Sequence, residues 1–215
     1  MSDTPPASAA ADLAYLKRLA SAGRGEPAPF LLLMAVFGGA YGLSFLSIGA
    51  SIHLLGPEAF TPSNQRPLIQ FLSWTPFMAH AMFGTALLWT AWRTLGPNRI
   101  KLSRSASAVW SAAFIGLMVT VAAFHIYSDG EPATDQIYTS YMLPPVLLVL
   151  WGCAWWVTAI MSQRRWLFAV AVGSFIGALA TAIVGNSPPI LMLAATCLLL
   201  LACLPAVALM LERRR

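Results

Sequence analysis

The sequence predicts an all-α, polytopic membrane protein, a bundle of six transmembrane helices, and three observations carry that expectation. Hydrophobic residues make up 58% of the 215 residues and charged residues only 10%, where soluble domains carry roughly 25% charged residues. Six apolar runs contain no Asp, Glu, Lys or Arg, and each is long enough, at about 1.5 Å per residue, to cross a hydrocarbon core of ~30 Å. Threading the chain through those runs puts twelve of its thirteen basic residues on one side and leaves Arg66 alone on the other. By the positive-inside rule that side is cytoplasmic, so the expectation is a bacterial inner-membrane protein with both termini in the cytoplasm.

Residues 1–29 read as a cytoplasmic segment with a short interfacial helix. Asp12 is placed to cap it, Leu13, Leu16 and Ala20 share one face, and Lys17, Arg18 and Arg24 lie near lipid phosphates. The same segment is the candidate docking surface for a protein partner. The transmembrane domain covers 30–211, and residues 212–215 form a short basic tail.

The first span, about 30–55, carries Gly38 and Gly42 at the four-residue spacing that lets helices approach closely, and ends near His53. A polar, Pro-punctuated loop over 56–70 follows. The second span, about 71–92, holds Pro76 in its first turns, then His80 and, one turn further, Gly84. Trp89 and Trp92 mark its cytoplasmic interface. The third span, 105–127, repeats small residues at Ala108, Ala112, Gly116 and Thr120, and brings His125 to its outer end.

The fourth, about 141–161, tolerates Pro144 and Pro145 in its first turn, where N–H groups lack partners anyway. In the fifth, 166–185, the series Gly173, Gly177, Thr181 and Gly185 predicts a continuous packing groove. The sixth, 190–211, has Pro205 inside it, which frees the carbonyl of Leu201 and predicts a bend.

Composition also excludes. The net charge of +5 belongs to topology and not to nucleic acid, because the basic residues flank spans and form no groove with interleaved aromatics. Cys153, Cys197 and Cys203 all fall inside apolar runs and read as small buried hydrophobes. No span holds a carboxylate or ammonium, the usual coupling group of proton- and sodium-driven carriers. No catalytic residue is assigned: nothing here pairs a nucleophile with a base, clusters acids for a metal-dependent phosphotransferase, or holds a nucleotide in a Gly-rich loop.

The histidines are the one positive chemical feature. His53, His80 and His125 all fall in the outer half of three consecutive spans, on the side of Glu58, Asp129, Glu131 and Asp135. Imidazole with a nearby carboxylate suits a metal ion or haem, although interfacial histidine is also an ordinary amphipathic residue. The leading expectation is therefore a non-enzymatic protein surrounded by the lipid bilayer, serving small-solute permeation or acting as the membrane-embedded component of a larger assembly. A metal- or haem-binding membrane redox protein built on the histidines is the first alternative. A sensor or tether that docks a cytoplasmic regulator through 1–29 is the second.

Overall fold

Each apolar run of the sequence folds as a helix, because an apolar surround offers backbone N–H and C=O groups no partner outside their own segment. The computed structural model describes residues 11–12, 28–56, 66–95, 104–127, 142–185, 187 and 189–212. Among these the helices are α1 (Ala28–Leu55), α2 (Pro67–Leu95), α3 (Arg104–Tyr127), α4 (Leu143–Ser162) and α5 (Trp166–Val184). A last run follows, made of α6 (Pro189–Leu198), a π-turn (Leu199–Cys203) and α7 (Leu204–Glu212), and no strand is found among the described residues.

Five of these six stretches are long and apolar enough to cross a membrane: α1, α3, α4, α5 and the last run. The second is not among them, despite its 29 residues, because Gln70, Ser73, Thr75, Pro76, His80 and Thr85 dilute its apolar character. Apart from 11–12 and 28–29, the N-terminal segment lies outside the described residues, and so do Glu58, Asp129, Glu131, Asp135 and the basic tail 213–215.

Helix α2 begins four residues earlier than its apolar run, at Pro67. Proline suits a first helical position, where its fixed φ is pre-set and its missing N–H would have no partner. Pro76 therefore sits well inside the helix, and the hydrogen bond it cannot make is replaced: the Thr75 hydroxyl donates to the Leu72 carbonyl at 2.8 Å. Pro144 and Pro145 occupy the first turn of α4, as their spacing predicts. Gly185 closes α5 instead of extending its groove. Its φ of 57° is a conformation L side chains rarely adopt, and its N–H bonds the Thr181 carbonyl at 3.0 Å.

Pro205 deforms the last run more than a bend would. The five-residue π-turn precedes it, and the Leu201 carbonyl is taken by the indole N–H of Trp155 on α4 at 2.8 Å. An indole from another helix thus makes the bond that the proline cannot.

Helix α1 organises the packing. It lies against α2 on one side and against α6, the π-turn and α7 on the other, while α4 packs on α3 and α5, and α5 closes on α6. At its centre an aromatic core joins four helices: Phe37 of α1 lies 5.2 Å from both Phe83 of α2 and Trp151 of α4, and Phe114 of α3 lies 5.3 Å from Trp151. Trp110 and Trp155 extend it with an edge-to-face contact at 5.0 Å. Such geometries satisfy the ring quadrupoles. The Trp110 indole also donates to Thr158 at 3.0 Å, and Thr158 passes its own proton to Ala154 O at 2.7 Å. At the basic end, Arg164 in the α4–α5 turn pairs with Glu212 at the end of α7.

Candidate functional site

Polar side chains, the interior proline of α2 and the π-turn of the last run meet around residues 38–44 of α1, a length of about 9 Å along its axis. Consider first the side toward the C-terminal run. A Cβ on Gly38 would stand 2.6 Å from the backbone N of Cys203 and 2.7 Å from the carbonyl O of Leu198. These two atoms belong to the first loop of the π-turn, so α1 contributes bare backbone where the other helix is interrupted. One on Gly42 would meet Leu199 at 2.8 Å, and one on Gly49 would meet Met192 at 2.9 Å. This seam closes through shape.

The side toward α2 is built from polar groups. Thr75 uses its one proton on Leu72 O, so Ser44 is the donor in the 3.1 Å contact between their hydroxyls. Ser44 is only 3% exposed, so this pair bridges the helices out of solvent. One turn further along α2, His80 Nδ1 lies 2.6 Å from the carbonyl O of Pro76. Its ring meets Tyr41 edge to face, with centroids 5.1 Å apart and an interplanar angle of 77°. Tyr41 also touches Phe37 at 4.8 Å and Phe83 at 6.1 Å, which ties the seam to the aromatic core. Both residues are central in their helices: Tyr41 lies halfway along α1, and His80 thirteen residues after Pro67 in the 29 of α2.

Four further hydroxyls are occupied within their own helices. Ser47 bonds Ser44 O, Ser51 bonds Ser47 O, Thr85 bonds Ala81 O and Thr120 bonds Gly116 O, all at 2.8 Å. Such back-bonding leaves Ser44 and Thr75 as the hydroxyl pair that crosses from one helix to another.

The histidines separate by role. All three are exposed: His53 in the last turn of α1, His125 near the end of α3, and His80 midway along α2, where it borders Tyr41 of α1. Among the described residues no group of three or more His, Cys, Asp and Glu side chains is placed to hold a metal ion, so these three do not converge on one. The depth of His80, about 20 Å from the start of its helix at 1.5 Å per residue, is the physical reason.

The small residues of α5 meet the C-terminal run. A Cβ on Gly173 would stand 3.0 Å from Leu201, one on Gly177 would stand 3.0 Å from Cys197 Sγ, and Thr181 is fully buried. On α3, Ala108 and Ala112 are exposed, and Gly116 only reaches Leu150 at ordinary contact distance. An open crevice of about 310 Å³ between α4 and α5 is lined by Pro145, Val146, Val149, Leu150, Ala178, Leu179 and Ala182, and offers no polar group.

Sequence reasoning finds Pro205 as an interior breaker and the Leu201 carbonyl that it frees, but it puts Pro76 in the first turns of its span, where the structure has it well inside α2. It misses which side chain would fill that carbonyl, and it misses Tyr41 altogether. The signal was available: Tyr41 is the one tyrosine inside the first three apolar runs short of their ends. No protein-family model, curated protein or solved structure matches this chain, so the site is read from its own geometry.

Proposed function

We propose that this chain is an integral membrane protein of six spans that carries a small solute through the seam between α1 and α2. In this reading α2 crosses with the five more apolar helices. The topology has both termini on the basic, cytoplasmic side of a bacterial inner membrane. The polar character that sets α2 apart is then its function, because a helix lining a solute path tolerates hydroxyls and imidazole where a lipid-facing one does not.

One observation carries the reading. Two neighbours of α1 carry a helix irregularity at the same depth, both opposite residues 38–44: α2 continues through Pro76 with one backbone bond missing, and the last run is interrupted by the π-turn before Pro205. Transporters place their binding sites near the bilayer midplane beside discontinuous helices, and the π-turn of the last run is such a discontinuity. Tyr41, Ser44, Thr75 and His80 supply the polar groups there, and the Phe37–Phe83–Phe114–Trp151 cluster closes the bundle one turn away. The absence of any charged side chain from the six apolar runs suits a neutral solute over an ion.

The reading is tested with the purified chain in proteoliposomes, following vesicle volume after an osmotic step in glycerol or acetamide. Faster re-swelling than in protein-free vesicles is the expected result, and identical rates overturn permeation of such solutes. The topology has its own check: a reporter active only in the periplasm stays silent when fused after Arg215. Activity there would reverse the orientation or change the number of spans.

A further inference from the structure

We infer that Tyr41 and His80 form a two-point hydrogen-bonding site for a small neutral solute bearing both a donor and an acceptor, an alcohol or a primary amide. The inference deepens the permeation reading and rests on it for the solute's access to this depth of the membrane, since His80 is exposed at the edge of the seam.

The tautomer of His80 comes first. A carbonyl oxygen only accepts, so the 2.6 Å contact with Pro76 O requires the proton on Nδ1. In the neutral imidazole Nε2 then holds a lone pair, and no described group bonds it. The Tyr41 hydroxyl likewise has no hydrogen-bond partner among the described residues, and it is an available donor. Ring centroids 5.1 Å apart put this acceptor and this donor within the reach of one small molecule.

Space and charge complete the site. Gly84 lies one turn from His80 on the same side of α2, and a Cβ there would meet nothing within 4 Å. The chain therefore leaves room beside the imidazole. Tyr41 is the titratable group that faces His80 across the seam, and no Asp, Glu, Lys or Arg occurs within the apolar run of either helix. A fully charged ligand would find no counter-charge at this depth. A neutral hydroxyl or carboxamide answers both groups, giving its proton to Nε2 and accepting from the phenol. Acceptor and donor then sit above the aromatic floor made by Phe37 and Phe83.

The test uses the full chain in nanodiscs with ¹⁵N-labelled histidine, and the His80→Asn variant identifies the His80 signals. Asparagine keeps an N–H for Pro76 O and takes away the acceptor at the Nε2 position, its own carbonyl oxygen lying nearer the backbone. Titration with glycerol and with acetamide should move the unprotonated Nε2 resonance saturably, while acetate and methylammonium leave it in place. Tyr41→Phe keeps the ring against Phe37 and Phe83, and should weaken binding at least about tenfold. Gly84→Leu enters open space, so the fold is retained and binding is lost. A response to glycerol alone or to acetamide alone supports the site and tells alcohol from amide. No saturable shift with either solute overturns it, and so do equal shifts in wild type, Tyr41→Phe and Gly84→Leu. Saturable binding without flux in proteoliposomes would support the site while removing the permeation reading.

Discussion

On the side of α1 that faces the C-terminal run, Gly38 packs against backbone, and Gly42 and Gly49 pack against the side chains of Leu199 and Met192. On the side that faces α2, contact is made by a serine–threonine bridge and a tyrosine–histidine pair. Both neighbours contain an interior proline, so the difference lies in how each lost hydrogen bond is replaced. In α2 the replacement is local: Thr75, next to the proline, caps the carbonyl that Pro76 frees, and the repair needs no other helix. In the C-terminal run the replacement is remote, with a π-turn packed under Gly38 and an indole from α4 on the Leu201 carbonyl. A remote repair ties three helices together and makes the seam rigid. A local one leaves the surrounding polar groups available for other work, which is why the candidate site lies on the α2 side.

The sharpest way to break this comparison is Gly38→Leu. Any Cβ there meets backbone atoms at 2.6 and 2.7 Å, and backbone cannot rotate away. The variant should lose about 3 kcal/mol or more, with a large drop in melting temperature in detergent. An unchanged melt would mean that this seam is not closely packed in the folded protein.

Next in size is Trp155→Phe. It strips the N–H from Leu201 O and leaves a carbonyl without its partner, which costs about 1–3 kcal/mol. Trp151→Phe is the matched control: Trp151 is 1% exposed, and its N–H has no hydrogen-bond partner among the described residues. It should lose less than Trp155→Phe in the same thermal unfolding experiment, because only packing changes. Equal losses would show that the indole bond contributes nothing measurable.

Thr75→Val tests the local repair. The substitution removes both the Leu72 cap and the Ser44 bridge while keeping the volume, and about 1 kcal/mol should be lost. A loss as large as that of Gly38→Leu would make the two seams equally rigid and erase the contrast between them.

The smallest effect has the opposite sign. Gly84→Ala meets nothing within 4 Å and replaces a poor helix former, so stability should rise by up to about 1 kcal/mol. Set against Gly38, it asks whether a glycine in this protein is present for contact or for space.

Much of the helix inventory was legible because each apolar run exceeds the length needed and because Pro and Gly act through covalent geometry. Pro144 and Pro145 at a helix start, and Pro205 freeing Leu201 O, follow from a ring that fixes φ and lacks an N–H. The start of α2 at Pro67 was less legible, since Leu68, Ile69 and Gln70 read equally as loop or helix until a first turn is formed. Gly185 belonged by spacing to the packing groove, and only its φ of 57° shows that it ends the helix.

Length, charge exclusion and the positions of breakers are properties of the chain itself, so the sequence alone determined an all-helical fold with long apolar helices and placed a deformation at Pro205. Which side chain answers each interruption depends on helices 46 or 31 residues apart coming into contact, as Trp155 does with Leu201 and Ser44 with Thr75. Tertiary structure alone decided that His53, His80 and His125 do not gather into one three-residue group, that Tyr41 faces His80, and that Gly84 borders open space while Gly38 borders backbone. The reason is geometric. A helical sequence specifies the angle of each side chain about its own axis, but the rotation and depth of one helix against another follow from how all their surfaces pack together.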